Sequence, residues 1–513
     1  MTLHSQSRKK FILRAFVALT ITSLAPQPNL RAMDSTVLNS YVENNTVKLL
    51  ATAGILGGSY LAYRIYDYVQ KHKPLTWNWD NEHTRKKLSF QNPRLKQPFL
   101  WGAATSAQQV EGDCTNNSWH VWEQSVDENG KNRVEQTAGI ACDHWNRYKQ
   151  DIQLLKQIGA NSYRFSIEWS KIEPQEGKFD QEALQHYKDV CEELRRNNIR
   201  ACINLHHYTD PIWFINKGGF EKKENVAHFV DFAKRMIEEL NQENTMWFTF
   251  NSPDGYATKG WLIGTTYPGK KDMQLCGQVY AHMLEAHVHI YRDVKKTKPN
   301  TQLGILKNML QCDPWNPYNP LDILACSMAT KITDTGFFNF FTTGVFELQI
   351  PTKANVTHKN KDAIGALDFI GINYYCHGYM KNFKITRDPK ETPTDSDLYT
   401  IYPEGLYRAI KEVSKKIAEP LKIPMYITEN GIATTDDNKR EEFLQKYLYA
   451  LSKAIKDGYD VRGYIHWSLM DNYEWGQYKH KYGIFNVDFS SPNLTRTLKR
   501  GSQFYVDTIA ANS

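Results

Sequence analysis

Short apolar runs alternate with longer amphipathic segments along the chain from Phe99 onward. The runs are rich in aromatic and β-branched residues, which is typical of buried strands. In chain order they are FLWGAAT, SYRFSIEW, RACINLHH, MWFTFNS, TQLGILKN, LDFIGINYY, PMYITENG and VRGYIHWSL. The pattern therefore predicts eight short strands beyond Phe99.

The segments between these runs have the spacing of amphipathic helices. In KENVAHFVDFAKRMIEELNQ one helical face carries Val226, Phe229, Val230, Ala233, Ile237 and Leu240. Repeated alternation of strand and helix predicts a single (β/α)8 barrel, an α/β fold with long loops, over residues 98–513. A doubly wound sheet alternates in the same way, but no glycine-rich phosphate loop follows the first run, so the barrel is favoured.

The residues ahead of the predicted barrel have a different pattern. A basic head, an apolar run and small residues make residues 1–32 a predicted secretory signal segment. A second apolar stretch, residues 49–63, is shorter than the ~20 residues that span a bilayer, so a membrane anchor and an ordinary buried or interfacial helix both stay open. The polar remainder of residues 33–97 is interpreted as a linker. The protein is expected to be exported or membrane-associated through this region. A cytoplasmic location is the alternative if the region has neither role.

Composition and charge narrow the classes of function. The formal net charge of +7 comes largely from scattered lysines, which argues against nucleic-acid binding. The 8 cysteines include no C-x-x-C pair, so neither a metal site nor a disulfide framework is expected, and no cofactor is indicated. The aromatic share of 13% suits a sugar site, because flat rings stack on pyranose faces. No pattern indicates an oligomeric state.

In a (β/α)8 barrel the active site is built from side chains at the carboxyl ends of the strands. The predicted strand ends carry Gln109, Glu111, Arg164, Glu168, His206, His207, Asn251, Ser252, Asn373, Tyr374, Tyr375, Glu429, Asn430, Trp467, Glu474 and Trp475. Such a set suits a neutral polyhydroxyl ligand, since polar heads bond hydroxyls and tryptophan supplies a stacking wall. A phosphate site would need more cations, and a metal site would need closer clustering of histidines and carboxylates.

Glu429 is the most informative of these residues. It follows a largely apolar strand, where a carboxylate costs desolvation energy unless a site uses it. A surface Glu beside an Asn-Gly turn is the alternative. The functional interpretation is a nucleophile that Arg164 and Tyr375 hold ionised through charge and hydrogen bonding.

Motifs along the whole predicted barrel resemble the family 1 β-glycosidases. They include FLWGAATSAQQVEG, LHHYTDPIWFINKGGF, TFNSP, DFIGINYY, YITENG and GYIHWSLMDNYEW, in the family's order. The resemblance implies a retaining β-glycosidase with nucleophile Glu429, which Arg164 and Tyr375 orient and charge. It also implies a site for a small carbohydrate made of Gln109, His207, Asn251, Trp467, Glu474 and Trp475. Asn373 is added to this set because it lies at the end of its strand. Glu474 implies a non-phosphorylated sugar, because a carboxylate there repels phosphate.

One motif departs from the family pattern. The family carries Asn-Glu-Pro after the fourth strand, with Glu as general acid/base, whereas this chain has Asn251-Ser252-Pro253. A serine hydroxyl does not give up a proton near neutral pH, and acid/base catalysis typically contributes about 10²–10⁴-fold. Asp254 is an alternative acid, but a continued strand would put it about 6–7 Å further along, and Pro253 and Gly255 argue against such a strand.

Three functions follow from these observations. The first is a β-glycosidase or transglycosidase that works through Glu429 and whose hydrolysis is impaired or limited to activated leaving groups. The second is a non-catalytic sugar-binding protein that has lost its hydrolase activity. The third is full hydrolysis with Asp254 as a displaced acid.

Overall fold

The computed structural model describes residues 63, 66, 67, 74–79, 88–95, 97–396 and 399–512. Parallel strands close into a barrel in which each strand pairs with its neighbours in sequence and the last pairs with the first. They are β1 (Leu100–Ala104), β2 (Ser162–Ser166), β3 (Arg200–Asn204), β4 (Met246–Asn251), β5 (Gln302–Asn308), β6 (Phe369–Asn373), β7 (Met425–Asn430) and β8 (Val461–Trp467). The predicted single (β/α)8 barrel is confirmed, and every barrel strand lies within the apolar run predicted for it.

Helices follow the strands around the barrel. The longer ones are His144–Gln157, Gln181–Arg196, Val226–Leu240, Met273–Thr297, Pro320–Thr330, Gly336–Thr343, Pro403–Val413, Asp437–Lys456 and Gln503–Ala510. Several begin at an aspartate whose carboxylate accepts first-turn backbone N–H groups, as at Asp180, Asp272 and Asp436. These caps explain where the chain turns from loop into helix.

The connections contain further short elements. Short helices and helical turns are Ala107–Val110, Ser118–Glu123, Trp169–Ile172, Ile212–Asn216, Gly219–Glu221, Lys223–Asn225, Pro253–Ala257, Thr258–Ile263, Lys331–Thr335, Lys361–Ala363, Ser414–Ala418, Glu419–Leu421 and Arg500–Ser502. Strands outside the barrel are Gln311–Pro314, Val345–Ile350, Ala354–Lys359, His377–Lys381, Lys384–Thr386, Phe485–Val487 and Arg496–Leu498.

Side chains along each barrel strand alternate between two apolar layers. On β4, Phe248 packs inside the barrel with Leu306 of β5, whereas Trp247 and Phe250 join the larger cluster that includes the helices. A register irregularity between Phe248 and Asn251 interrupts this alternation. Such a shift re-aims the side chains at the strand end, where the site lies.

The packed domain includes residues that precede its predicted start near Pro98. Phe90 is buried and its ring lies 4.7 Å from that of Trp101, while the backbone N–H of Trp77 donates to Glu404 at 2.8 Å. The predicted signal segment lies outside the described residues, and so do residues 49–63 apart from Tyr63. Within the part that the structure describes, none of the helices has the length and apolar content needed to span a bilayer.

The interior of the barrel should be a main source of stability. Leu306 is 0% exposed, so we expect Leu306→Ala to lower the free energy of unfolding by about 2–5 kcal/mol through lost burial and the cavity left behind. Leu324→Ala is the matched control, because Leu324 is 49% exposed and its loss should change stability by less than about 0.5 kcal/mol. Urea denaturation measures both, and equal losses would contradict this assignment of the core.

Candidate active site

A cavity opens where the barrel strands end. Its empty volume, with the open mouth included, is about 630 Å³. The lining residues are His207, Tyr208, Asn251, Ser252, Gly255, Lys259, Asn308, Asn373, Tyr375, Tyr399, Glu429, Trp467, Glu474, Trp475 and Tyr482. All of the predicted catalytic and sugar-binding residues are among them except Arg164 and Gln109, which are fully buried and contact the site's polar groups from behind. The other predicted strand-end residues, Glu111, Glu168, His206, Tyr374 and Asn430, lie outside this lining.

Glu429 is held by a cation and a phenol. One carboxylate oxygen accepts a hydrogen bond from Arg164 Nη1 at 2.5 Å, and the other accepts one from the Tyr375 hydroxyl at 2.7 Å. Arg164 is 0% exposed, so its charge acts on Glu429 with little screening by water. The two contacts together hold the carboxylate in one orientation at the edge of the cavity.

A polar network links four strand ends behind Glu429. The side-chain oxygen Oδ1 of Asn251 accepts from Arg164 Nη2 at 2.9 Å and from Asn373 Nδ2 at 2.8 Å. Asn373 in turn accepts from the Thr428 hydroxyl at 2.8 Å. The strands β2, β4, β6 and β7 are therefore joined by side chains as well as by their backbone ladders.

His207 is a neutral hydrogen-bonding group in this network. Its Nε2 lies 2.9 Å from the Asn251 amide nitrogen, which donates and leaves that ring nitrogen as the acceptor. Burial, with Arg164 as a further cause, lowers the pKa of His207 well below its ordinary value. Its other nitrogen, Nδ1, is buried and has no hydrogen-bond partner in the described structure.

Ser252 sits at a tight change of direction. β4 ends at Asn251, Ser252 has φ 45° in the left-handed region, and Pro253 begins a short helix. The Ser252 hydroxyl accepts from Asn373 Nδ2 at 3.0 Å. Gly255 faces the Tyr208 hydroxyl so closely that an added Cβ would lie 2.5 Å from that oxygen, and this close approach requires glycine there.

Glu474 has a different electrostatic environment from Glu429. The indole N–H of Trp467 donates to it at 3.0 Å. Burial raises its pKa to about 8, with Glu429 adding to the rise while Trp467 and Gln109 oppose it. Near neutral pH this carboxyl group is therefore mainly protonated, so it can donate as well as accept hydrogen bonds. Trp475 forms the adjoining wall, with its ring 6.0 Å from that of His207.

The other acidic residues near the strand ends have structural partners. Asp254 is buried and accepts from Lys307 Nζ at 3.0 Å, and it does not line the cavity. Glu168 accepts from the hydroxyls of Ser170 and Thr209, at 2.6 Å and 3.0 Å. Glu111 belongs to the same structural class, since Tyr187 donates to it at 2.7 Å and Lys171 pairs with it at 3.2 Å.

Some lining residues were missed by the sequence analysis. Asn308 is the last residue of β5, so the strand-end rule that predicted the other lining residues also applies to it. Lys259 lies in the helical turn Thr258–Ile263 and Tyr399 lies in the long loop after β6. Neither of these follows a strand directly, so the rule of strand ends gives no signal for them.

Comparison with known proteins identifies the family of this barrel. Residues 91–513 match the family model described as glycosyl hydrolase family 1. The chain belongs to glycosyl hydrolase family 1. This confirms the family resemblance of the sequence motifs.

Relatives within glycosyl hydrolase family 1 include enzymes that act on two kinds of glycoside. A 1,4-beta-D-glucan glucohydrolase from Thermotoga neapolitana is 28% identical over 82% of this chain and 99% of its own length. A 6-phospho-beta-galactosidase from Staphylococcus haemolyticus is 30% identical over 80% of this chain and 97% of its own length. Both are O-glycosyl hydrolases.

Solved structures of the family have the same fold. A beta-glycosidase from Pyrococcus horikoshii superimposes with a TM-score of 0.72 at 32% identity, over 82% of this chain and 96% of its own. A beta-glucosidase from Thermotoga maritima in complex with galacto-hydroximolactam superimposes with a TM-score of 0.71 at 26% identity, over 82% of this chain and 99% of its own. That family member binds a sugar analogue.

The raised pKa of Glu474 predicts a pH dependence of stability. Between about pH 4.5 and 8 the folded protein keeps a proton that the unfolded chain releases, so stability falls as pH rises through this window. Because the cavity admits water, we expect the wild type to lose about 1–3 kcal/mol more than Glu474→Gln between pH 5 and pH 8. Chemical denaturation at several pH values measures this difference.

Glu128→Gln is the control for that measurement, because Glu128 is an exposed carboxylate. Its stability profile should run parallel to that of the wild type. If the Glu474→Gln profile runs parallel as well, the Glu474 carboxyl group does not carry the raised pKa.

Proposed function

We propose that the protein is a retaining β-glycosidase of the β-glucosidase type, acting through Glu429 on non-phosphorylated β-D-glycosides with activated leaving groups. The observation that supports this most is the pair of contacts on Glu429, from Arg164 at 2.5 Å and Tyr375 at 2.7 Å, at the base of a cavity with aromatic walls. Membership of glycosyl hydrolase family 1 supports the reaction class.

The contacts on Glu429 suit the first half of a retaining mechanism. The carboxylate attacks the anomeric carbon, and the bond from that carbon to the leaving oxygen breaks as the glycosyl–enzyme ester forms. The hydrogen bonds from Arg164 and Tyr375 fix the orientation of the nucleophile before the attack. A precise approach lowers the entropic part of the barrier.

The residue at position 252 determines which leaving groups can be used. In the family pattern we assign this position to the general acid/base, and a serine there can accept a hydrogen bond but supplies no proton near neutral pH. Loss of that catalysis costs about 10²–10⁴-fold in each step that needs it. Leaving groups that are stable anions avoid the first loss, and activation of water is still impaired in the second step.

The glycone is proposed to bind between the aromatic walls and the polar groups of the cavity. Trp467 and Trp475 supply the stacking faces, Glu474 and His207 supply hydrogen bonds to hydroxyls, and Gln109 supports Glu474 from behind. Glu474 carries no positive charge in either protonation state, so it favours a free hydroxyl over a phosphate. A glucose- or galactose-like sugar fits these groups.

Intact-protein mass spectrometry after incubation with 2,4-dinitrophenyl 2-deoxy-2-fluoro-β-glucoside tests this function. The leaving group needs no acid and the fluorine slows release, so a working nucleophile should trap itself. We expect an adduct of one sugar that maps to Glu429 and is absent in Glu429→Ala. If no adduct forms while calorimetry still detects sugar binding, the protein is a non-catalytic sugar-binding protein, the alternative that Ser252 favours.

Ser252→Glu tests the role of the exchanged residue. Returning a carboxyl group should raise hydrolysis of alkyl β-glucosides by about 10²–10⁴-fold, because an alkoxide needs a proton in order to leave. Ser252→Ala is the matched control and should give no gain. Equal rates in the three proteins, with labelling at Glu429 intact, would rule out Ser252 as the cause of impaired hydrolysis.

A further inference from the structure

The cavity contains a lysine on the same side as Ser252. Lys259 lines the cavity with Ser252 and Glu429, and its ammonium lies 5.4 Å from the centre of the Tyr208 ring. The Tyr208 hydroxyl closely faces Gly255, in the short helix that follows Ser252. Lys259 therefore belongs to the wall that carries Ser252, and among the described residues no other lysine or arginine lines the cavity.

Lys259 has no counter-ion of its own. Across the described residues, its Nζ makes no hydrogen bond and no ion pair, and its contact is the face of the Tyr208 ring. The buried Lys307, by comparison, pairs with Asp254 at 3.0 Å and Asp334 at 2.7 Å. Lys259 is half-buried, so its charge is only partly screened by water, and an anionic group on a ligand would be stabilising beside it.

The nearby carboxyl groups are already engaged. Glu429 accepts from Arg164 and Tyr375, and Glu474 accepts from Trp467. Burial lowers the pKa of Lys259, and the charge of Glu429 opposes this effect. Neither carboxyl group pairs with Lys259, so its amino group is free to meet a bound substrate.

We propose that Lys259 is a specificity-determining residue that selects leaving groups which depart as anions, such as the carboxylate of a glycosyl ester or an acidic phenolate. This inference rests on the proposed function of Glu429. The position of Lys259 on the wall that carries Ser252 assigns it to the side of the leaving group.

The reaction balances without a proton. A Glu429 oxygen forms the bond to the anomeric carbon, and the electron pair of the broken bond stays on the leaving oxygen. One negative charge thus moves from Glu429 towards the leaving group. A fixed ammonium ion near its destination stabilises the transition state more than the ground state, which is the condition for acceleration.

In the second half-reaction negative charge moves in the opposite direction, from the attacking group back to Glu429. Water without a base is a weak nucleophile, whereas a carboxylate or phenolate attacks the anomeric carbon directly and releases the Glu429 carboxylate. Lys259 attracts such an anion into the cavity. Transfer of the sugar from one acidic leaving group to another acidic acceptor is therefore favoured over hydrolysis.

Two glucosides that differ in the charge of the departing group provide the test. 4-Nitrophenyl β-glucoside loses a phenolate anion, and N-(β-D-glucopyranosyl)pyridinium loses a neutral pyridine; neither needs an acid. We expect Lys259→Met to lower kcat/KM for the nitrophenyl substrate by about 10- to 100-fold and to leave the pyridinium substrate unchanged or faster. Lys259→Arg should retain most of the wild-type preference.

The ratio of the two kcat/KM values in one preparation is independent of the fraction of folded protein. Lys271→Met is the matched control, because Lys271 is exposed and outside the cavity lining, and it should keep the wild-type ratio. An unchanged ratio in Lys259→Met would overturn the inference while leaving the function of Glu429 standing. If neither substrate reacts in the wild type and Glu429 is not labelled, the proposed function itself fails.

Two further outcomes would also overturn this role of Lys259. A loss confined to alkyl glucosides would identify a proton donor, because only those leaving groups require protonation. A loss confined to 4-nitrophenyl β-glucoside 6-phosphate would show that Lys259 contacts the glycone.

Discussion

The buried charge of Arg164 is the constraint on which the site depends. A guanidinium ion with no exposure to water must be matched by an anion and by hydrogen-bond acceptors, or the domain loses stability. Glu429 supplies the charge, and Asn251 and the Thr428 carbonyl supply acceptors at 2.9 Å and 3.2 Å. Satisfying one cation therefore fixes the relative positions of three strand ends and orients the carboxylate towards the cavity.

The chemistry of the cavity follows from how its charges are distributed around that pair. Glu474 is largely neutral near pH 7 because burial raises its pKa, so Glu429 is the main negative charge in the lining. Ser252 contributes no charge, and Lys259 contributes a positive one without a counter-ion in the described structure. This balance favours a mechanism that stabilises a departing anion over one that transfers a proton to it.

Much of the fold could be predicted because the rules involved are local. Eight apolar runs separated by amphipathic segments specify strands and helices, and their alternation leaves few architectures to choose from. Strand ends then predicted most of the cavity lining, including Asn251 and Glu429. Lys259 and Tyr399 escaped prediction because loops and helical turns bring them to the cavity from outside the strand-end pattern.

The sequence by itself determined the barrel, the family motifs and the presence of Ser252 between Asn251 and Pro253. Only the tertiary structure decided which carboxyl groups face the cavity: it directs Asp254 to Lys307 and leaves Glu429 exposed to a ligand. The physical reason is that charge pairing acts through space. Lys307 lies on the neighbouring strand β5, and no pattern of residues along the chain encodes the distance between its ammonium and Asp254.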